Sequence, residues 1–129
     1  MTSKDDNRLL IEYRLKQAQE TILEVEKLIN ENLLKVAVNR IYYGIYYSLC
    51  SLALKYDFRT SKHLQLIGRF NRTFVKEKKV SSRYGKILRK SFRNRTEGDY
   101  TPYVEFNEEE VKVMFSEMKR VYRNDWGFN

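Results

Sequence analysis

Two stretches of this sequence place polar and ionisable groups among apolar ones at helical spacing. The first is Asn39-Arg40-Ile41-Tyr42-Tyr43-Gly44-Ile45-Tyr46-Tyr47, and the second is Arg95-Thr96-Glu97-Gly98-Asp99-Tyr100. A core has no need of such groups there. A site for a charged, planar ligand does.

Arg95 lies four residues after Ser91 and seven after Leu88, so it extends the inward stripe of a helix. Buried arginines are rare unless paired. Asp99 follows one helical turn later, within reach if the helix persists. Two readings stand. Either Arg95 and Asp99 form a structural pair that fixes the helix end, or the guanidinium is aimed at a phosphate and Asp99 orients it. Arg40 shares a helix face with Val36, Tyr43 and Tyr47. An arginine among rings can stack on them and still present its fork of donors. Single-stranded nucleic acid is held by this combination, basic groups taking the backbone and rings the bases. The alternative is a structural network in which Asn39 and Arg40 satisfy polar groups of neighbouring helices.

His63 is the one histidine, beside Lys62 at an expected helix start. It has no carboxylate cluster nearby, so no metal site is expected. It is either a surface or capping residue or a general acid or base. The sequence has no Gly-rich phosphate loop, no paired-cysteine motif and no recognisable Ser-His-Asp set, and no cofactor is implied. Cys50 is the only cysteine, so no internal disulfide forms, and it sits among apolar residues.

The elements that must position these groups are helices. Ile11, Leu15, Ala18, Ile22, Val25 and Ile29 step by three and four, which predicts a helix over roughly 7–31 that ends between Asn30 and Asn32. A second helix, about 33–56, carries a main stripe of Ala37, Ile41, Ile45, Leu49, Leu52 and Tyr56, and a second face of Val36, Arg40, Tyr43 and Tyr47. Two such faces mark a central helix. Ser61 is expected to cap a third helix, about 62–76, with Leu64, Ile67, Phe70 and Phe74 inward; a basic loop follows at 76–79. A fourth helix, about 81–97, turns Tyr84, Ile87, Leu88, Ser91 and Phe92 inward and is expected to stop at Gly98, ahead of Pro102. Asn107 and Glu110 form a capping box for a fifth, about 108–124, carrying Val111, Met114, Phe115, Met118, Val121 and Tyr122.

Short connections predict an all-α, antiparallel up-and-down bundle of four to five helices. With 129 residues the chain is long enough for one domain, expected over 1–129. Five glycines and one proline are too few for the turns of a sandwich or barrel. No run approaches the roughly 18 apolar residues of a membrane span, and the N-terminus lacks an apolar stretch behind a basic start. A cytoplasmic protein with no membrane partner is expected.

The net charge of +8 is unevenly spread: residues 55–95 hold 14 Lys and Arg against Asp57 and Glu77. A field this concentrated favours phosphate-rich partners. A solvated basic surface would give the same count.

Taken in order, Ala37-Val38-Asn39-Arg40-Ile41-Tyr42-Tyr43-Gly44, Ser61-Lys62-His63, Phe70 to Lys76, Tyr84-Gly85, Arg95 to Tyr100 and Phe106 to Glu110 carry a resemblance. The chain resembles the small prokaryotic HEPN domains (higher eukaryotes and prokaryotes nucleotide-binding) over about residues 9–124. The subfamily is the one with an Asn-Arg-x-Tyr-Tyr helix and an Arg-x-x-x-Asp-Tyr helix end. The resemblance implies a helical bundle that forms a homodimer. It also implies a minimal nucleotidyltransferase as partner in a toxin–antitoxin module. In the best-understood branches the HEPN protein is a metal-independent ribonuclease. There an Arg, often followed by a polar residue, stabilises charge on the phosphate, and a His four to six residues on is the acid or base.

This chain departs from that pattern. Arg93-Asn94 matches the start of the motif, but no His stands at the required spacing after Arg93 or Arg95. Asp99 stands six residues after Arg93 instead. An aspartate with an ordinary pKa of about 3.9 takes a proton but is a poor acid at neutral pH. His63, at the start of helix three, is a candidate substitute. In related toxins a Tyr beside the motif receives adenylate from the transferase, and Tyr100 is the matching position. Two functional readings result. In one, RNA lies in a basic groove and is cleaved without metal: Arg95 and Arg40 hold phosphate, Asp99 orients Arg95, and Tyr43 and Tyr47 line the groove. In the other, the protein is a non-catalytic helical dimer that binds a nucleotide or its partner.

Overall fold

The computed structural model describes residues 4–56, 58–59, 62–72, 76, 82–100 and 105–123. Among these described residues five helices are present: α1 (Lys4–Asn30), α2 (Leu34–Lys55), α3 (His63–Phe70), α4 (Ser82–Tyr100) and α5 (Glu108–Tyr122). They form the expected antiparallel bundle. α2 lies at its centre and packs against all four others, while α1 and α4 lie on different sides of it.

The turn between α1 and α2 follows from Asn32. Its φ of 59° is left-handed, a conformation in which Asn costs less than most side chains. That reversal lets Asn32 N–H donate to Ile29 O at 2.9 Å and Leu33 N–H to Leu28 O at 2.8 Å, so carbonyls orphaned at the end of α1 are satisfied. Three residues then suffice to reverse the chain.

Tyr42, Ile41, Ile45 and Leu49 of α2 are about 1% exposed, and meet Val25 of α1, Phe70 of α3, Ile87 of α4 and Val111, Met118 and Val121 of α5 in one core. Gly44 brings α5 close: a Cβ there would overlap the Met118 thioether. The capping box of α5 forms as expected. Glu110 N–H donates to Asn107 Oδ1 at 2.8 Å, and Asn107 Nδ2 donates to Glu110 Oε1 at 2.8 Å. No described helix is long and apolar enough to cross a membrane.

Five expectations are corrected. α4 does not stop at Gly98 but continues to Tyr100. Gly is tolerated inside a helix, whereas Pro102 would strike the carbonyl four residues back and disfavours helix at the residue before it. The residue at the cap of α3 is Lys62, which makes no side-chain cap bond; Ser61 lies outside the described residues. Leu64 of α3 is 66% exposed, because the buried face is set by Leu66, Ile67 and Phe70. α3 also ends at Phe70, and Asn71–Arg72 form a wider turn closed by Lys76 N–H on Asn71 O at 2.9 Å. Tyr56, placed on the apolar stripe of α2, is 52% exposed just past the helix end. Phe74 and the loop at 77–79 lie outside the described residues, as do the side chains of Tyr84 and Leu88.

Candidate functional site

The site is built on α2. Tyr42, Tyr43, Tyr46 and Tyr47 fall on two adjacent stripes about 100° apart. Tyr42 and Tyr46 turn inward and are buried, while Tyr43 and Tyr47 are half-buried beside them. The rings form a continuous patch. Tyr42 and Tyr43 meet edge-to-face at 5.3 Å between centroids, and Tyr43 and Tyr47 are 6.1 Å apart. Burial pushes the Tyr42 hydroxyl well above its ordinary value, and Arg95 beside it offsets only part of that rise. Burial, then the neighbouring Cys50 thiol, pushes Tyr46 up to about 12. Cys50 is itself raised by burial, against the opposing pull of Arg14, so it stays a protonated, unreactive thiol.

From α4 come Phe92 and Arg95, one turn apart. Phe92 meets Tyr42 edge-to-face at 5.7 Å. The Arg95 guanidinium lies 5.7 Å from the Tyr42 centroid and 5.5 Å from that of Tyr43, and its Nη2 donates to the Tyr43 hydroxyl at 3.2 Å. Arg40 sits over the same Tyr43 ring at 5.3 Å. One ring therefore stands in reach of two guanidiniums carried by two helices. Each such contact contributes roughly 0.5–2 kcal/mol, depending on solvent access.

α1 supplies the counter-charge. Arg40 Nε donates to Glu24 Oε1 at 2.8 Å, an ion pair whose partners are 29% and 50% exposed. Burial lowers the Arg40 pKa, but Glu24 and then Tyr47 outweigh it and the net shift is upward. A pair this exposed contributes at most about 1 kcal/mol. Arg14 lies 5.7 Å from the Tyr47 ring centroid and donates to Gln17 Oε1 at 2.9 Å. Between α1 and α2 a cleft of about 340 Å³ is lined by Gln17, Glu20, Thr21, Glu24, Arg40 and Tyr47.

The residues singled out in the sequence are thus partly assembled. Arg40, Tyr43, Tyr47 and Arg95 come together, and Asn39 is half-buried one position before Arg40. Arg93 and Asn94 point elsewhere, since successive helical residues diverge by about 100°. Arg93 is exposed, and Asn94 Nδ2 reaches Met114 Sδ of α5 at 3.7 Å. α4 stays helical past Asp99, which places it one turn beyond Arg95. The side chains of Asp99, Tyr100 and His63 lie outside the described residues. The sequence reading missed Arg14, Glu24 and the inward Tyr42. A signal for the first two exists: Arg14, Gln17, Thr21 and Glu24 step by three and four beside the apolar stripe of α1.

Residues 11–124 match the HEPN domain family. The chain is a HEPN-domain protein. Its relatives include a UPF0332 protein of Thermotoga maritima, 39% identical over 108 residues, a span of 84% of this chain and 82% of that protein. A protein of Methanocaldococcus jannaschii named "Putative toxin MJ0605" is 31% identical over 110 residues, 85% of this chain and 82% of its own. A second from that organism, "Putative toxin MJ0142", is 24% identical over 104 residues, 81% and 71% of the two chains. The match spans α2 and α4 in full, so the arginine–tyrosine cluster lies inside the HEPN domain.

Proposed function

We propose that this HEPN protein is the toxin-type component of a two-part module, that it binds RNA, and that its partner is a minimal nucleotidyltransferase. It works as a cytoplasmic homodimer. The relatives named as toxins support the first part. The Tyr43 ring carries the second: the Arg40 and Arg95 guanidiniums lie 5.3 and 5.5 Å from its centroid. An unstacked base on such a ring contributes about 1–3 kcal/mol, while guanidiniums meet the flanking phosphates. Lys86, Arg89, Lys90 and Arg93 are exposed and share one face of α4, a path for the rest of the backbone.

Cleavage adds an acid and a base to this binding. Arg95 stabilises charge on the phosphate, and Asp99 and His63 are the candidates for the proton transfers. The purified protein is incubated with single-stranded RNA in EDTA, as wild type, Arg95→Ala and His63→Ala. Scission that survives EDTA and is lost in a folded Arg95→Ala protein is the expected result. Equal scission by Arg95→Ala would overturn the assignment.

The Glu24–Arg40 pair favours a second reading, a non-catalytic helical dimer that binds a nucleotide or its partner protein. Arg40 and Arg95 are then structural groups. Under that reading the wild type cuts no RNA, and Arg95→Ala lowers the melting temperature.

A further inference from the structure

A second cavity, of about 130 Å³, lies where α1, the C-terminal half of α2 and α3 meet. Its floor is apolar: Ala53, Leu54 and Leu66 are 3%, 7% and 2% exposed. The half-buried Phe58 forms a wall, with the Arg69 guanidinium 4.6 Å from its ring centroid. Cys50, the single cysteine, also lines it, and burial keeps that thiol neutral.

The rim is different in kind. Arg14 comes from α1 and is half-buried; Arg59 follows α2 and is exposed. Each donates to a neutral amide oxygen: Arg14 Nη1 to Gln17 Oε1 at 2.9 Å, and Arg59 Nη2 to Asn7 Oδ1 at 3.0 Å. Among the described residues neither forms an ion pair. An amide oxygen satisfies a donor without neutralising the charge, and each guanidinium keeps further donors to offer.

Size limits what can enter. An apolar cavity of about 150 Å³ accepts a benzene molecule and stays free of water. A base with its ribose and phosphate is far larger. The geometry points to a site for a small monocarboxylate with an apolar body the size of one six-membered ring. The body lies on Ala53, Leu54 and Leu66, and the carboxylate meets Arg14 and Arg59. This inference does not rest on RNA binding: it uses neither Tyr43 nor Arg95, and shares with that cluster only Arg14, which lies beside the Tyr47 ring.

Benzoate is the probe. It is titrated into the full chain carrying labelled methyl groups and followed by nuclear magnetic resonance. Saturable shifts of the Leu54 and Leu66 methyls are expected. Benzyl alcohol, the same ring without the charge, should bind at least about tenfold more weakly, as should benzoate to Arg59→Gln. Ala53→Leu, which fills the floor, should abolish the shifts. Should that variant fail to fold, the exposed Arg59→Gln and the alcohol comparison decide. Absent or unsaturable shifts, equal affinity for the alcohol, or shifts confined to the Tyr43 and Tyr47 surroundings would overturn the site.

Discussion

At the scale of single residues, the four tyrosines of α2 divide the work. Tyr43 and Tyr47 present their rings beside three guanidiniums, those of Arg14, Arg40 and Arg95. Tyr42 and Tyr46 are buried, and their hydroxyls are held protonated. A consequence is a pH dependence with a definite sign. Tyr46 ionises near 10 in an unfolded chain and at about 12 in the fold. Above pH 10 the unfolded state therefore binds fewer protons than the native one, so stability falls as pH rises. Thermal unfolding should show a melting temperature insensitive to this group up to about pH 10, falling from there through about pH 12, with a shallower fall in Tyr46→Phe. An unchanged alkaline slope in that variant would mean that Tyr46 is not the group responsible. The division among these rings was not legible in the sequence, because both stripes are aromatic and either could have faced the core.

At the scale of elements, the bundle depends on how closely α2 and α5 approach. Gly44 lies inside a long helix, where it costs about 1 kcal/mol against alanine. Met118, fully buried on α5, occupies the space a Cβ would need. Forcing a methyl into a packed core costs about 1–3 kcal/mol, since the thioether must leave a filled site. Set against a gain of about 1 kcal/mol in helix propensity, this leaves Gly44→Ala with a net loss of up to about 2 kcal/mol in denaturant unfolding. A gain would show that Met118 has room to move. Much at this scale was legible: the two-faced pattern of α2 marked a central helix, and Asn107 with Glu110 marked the start of α5. The end of α4 was not, because a glycine stops a helix only when the chain needs its left-handed turn, and Gly98 lies inside the helix. The phase of α3 escaped for another reason. Eight residues hold too few apolar positions to fix a face, and Leu66 competes with Leu64.

At the scale of the whole molecule, charge and cluster lie together. The excess of Lys and Arg falls on the stretch 55–95, which contains α3 and most of α4, and α4 also delivers Arg95 to the rings of α2. That charge asymmetry was plain in the sequence. The Glu24–Arg40 pair was not, because it joins residues 16 apart on different helices and exists only once α1 and α2 pack. The acidic partner limits Arg40, so Arg95 is the cation on which binding should turn.

The most direct measurement is the equilibrium affinity of the purified protein for single-stranded RNA across a salt series, with wild type and Arg95→Ala compared at equal helicity. The affinity of the wild type should fall linearly on logarithmic axes as salt rises. The variant should bind at least about tenfold more weakly and lose about 0.7 from the slope, the share of one phosphate contact on a single strand. Wild-type protein that does not bind RNA, or a folded Arg95→Ala protein that binds with the same affinity and slope, would contradict the placement of RNA at this cluster.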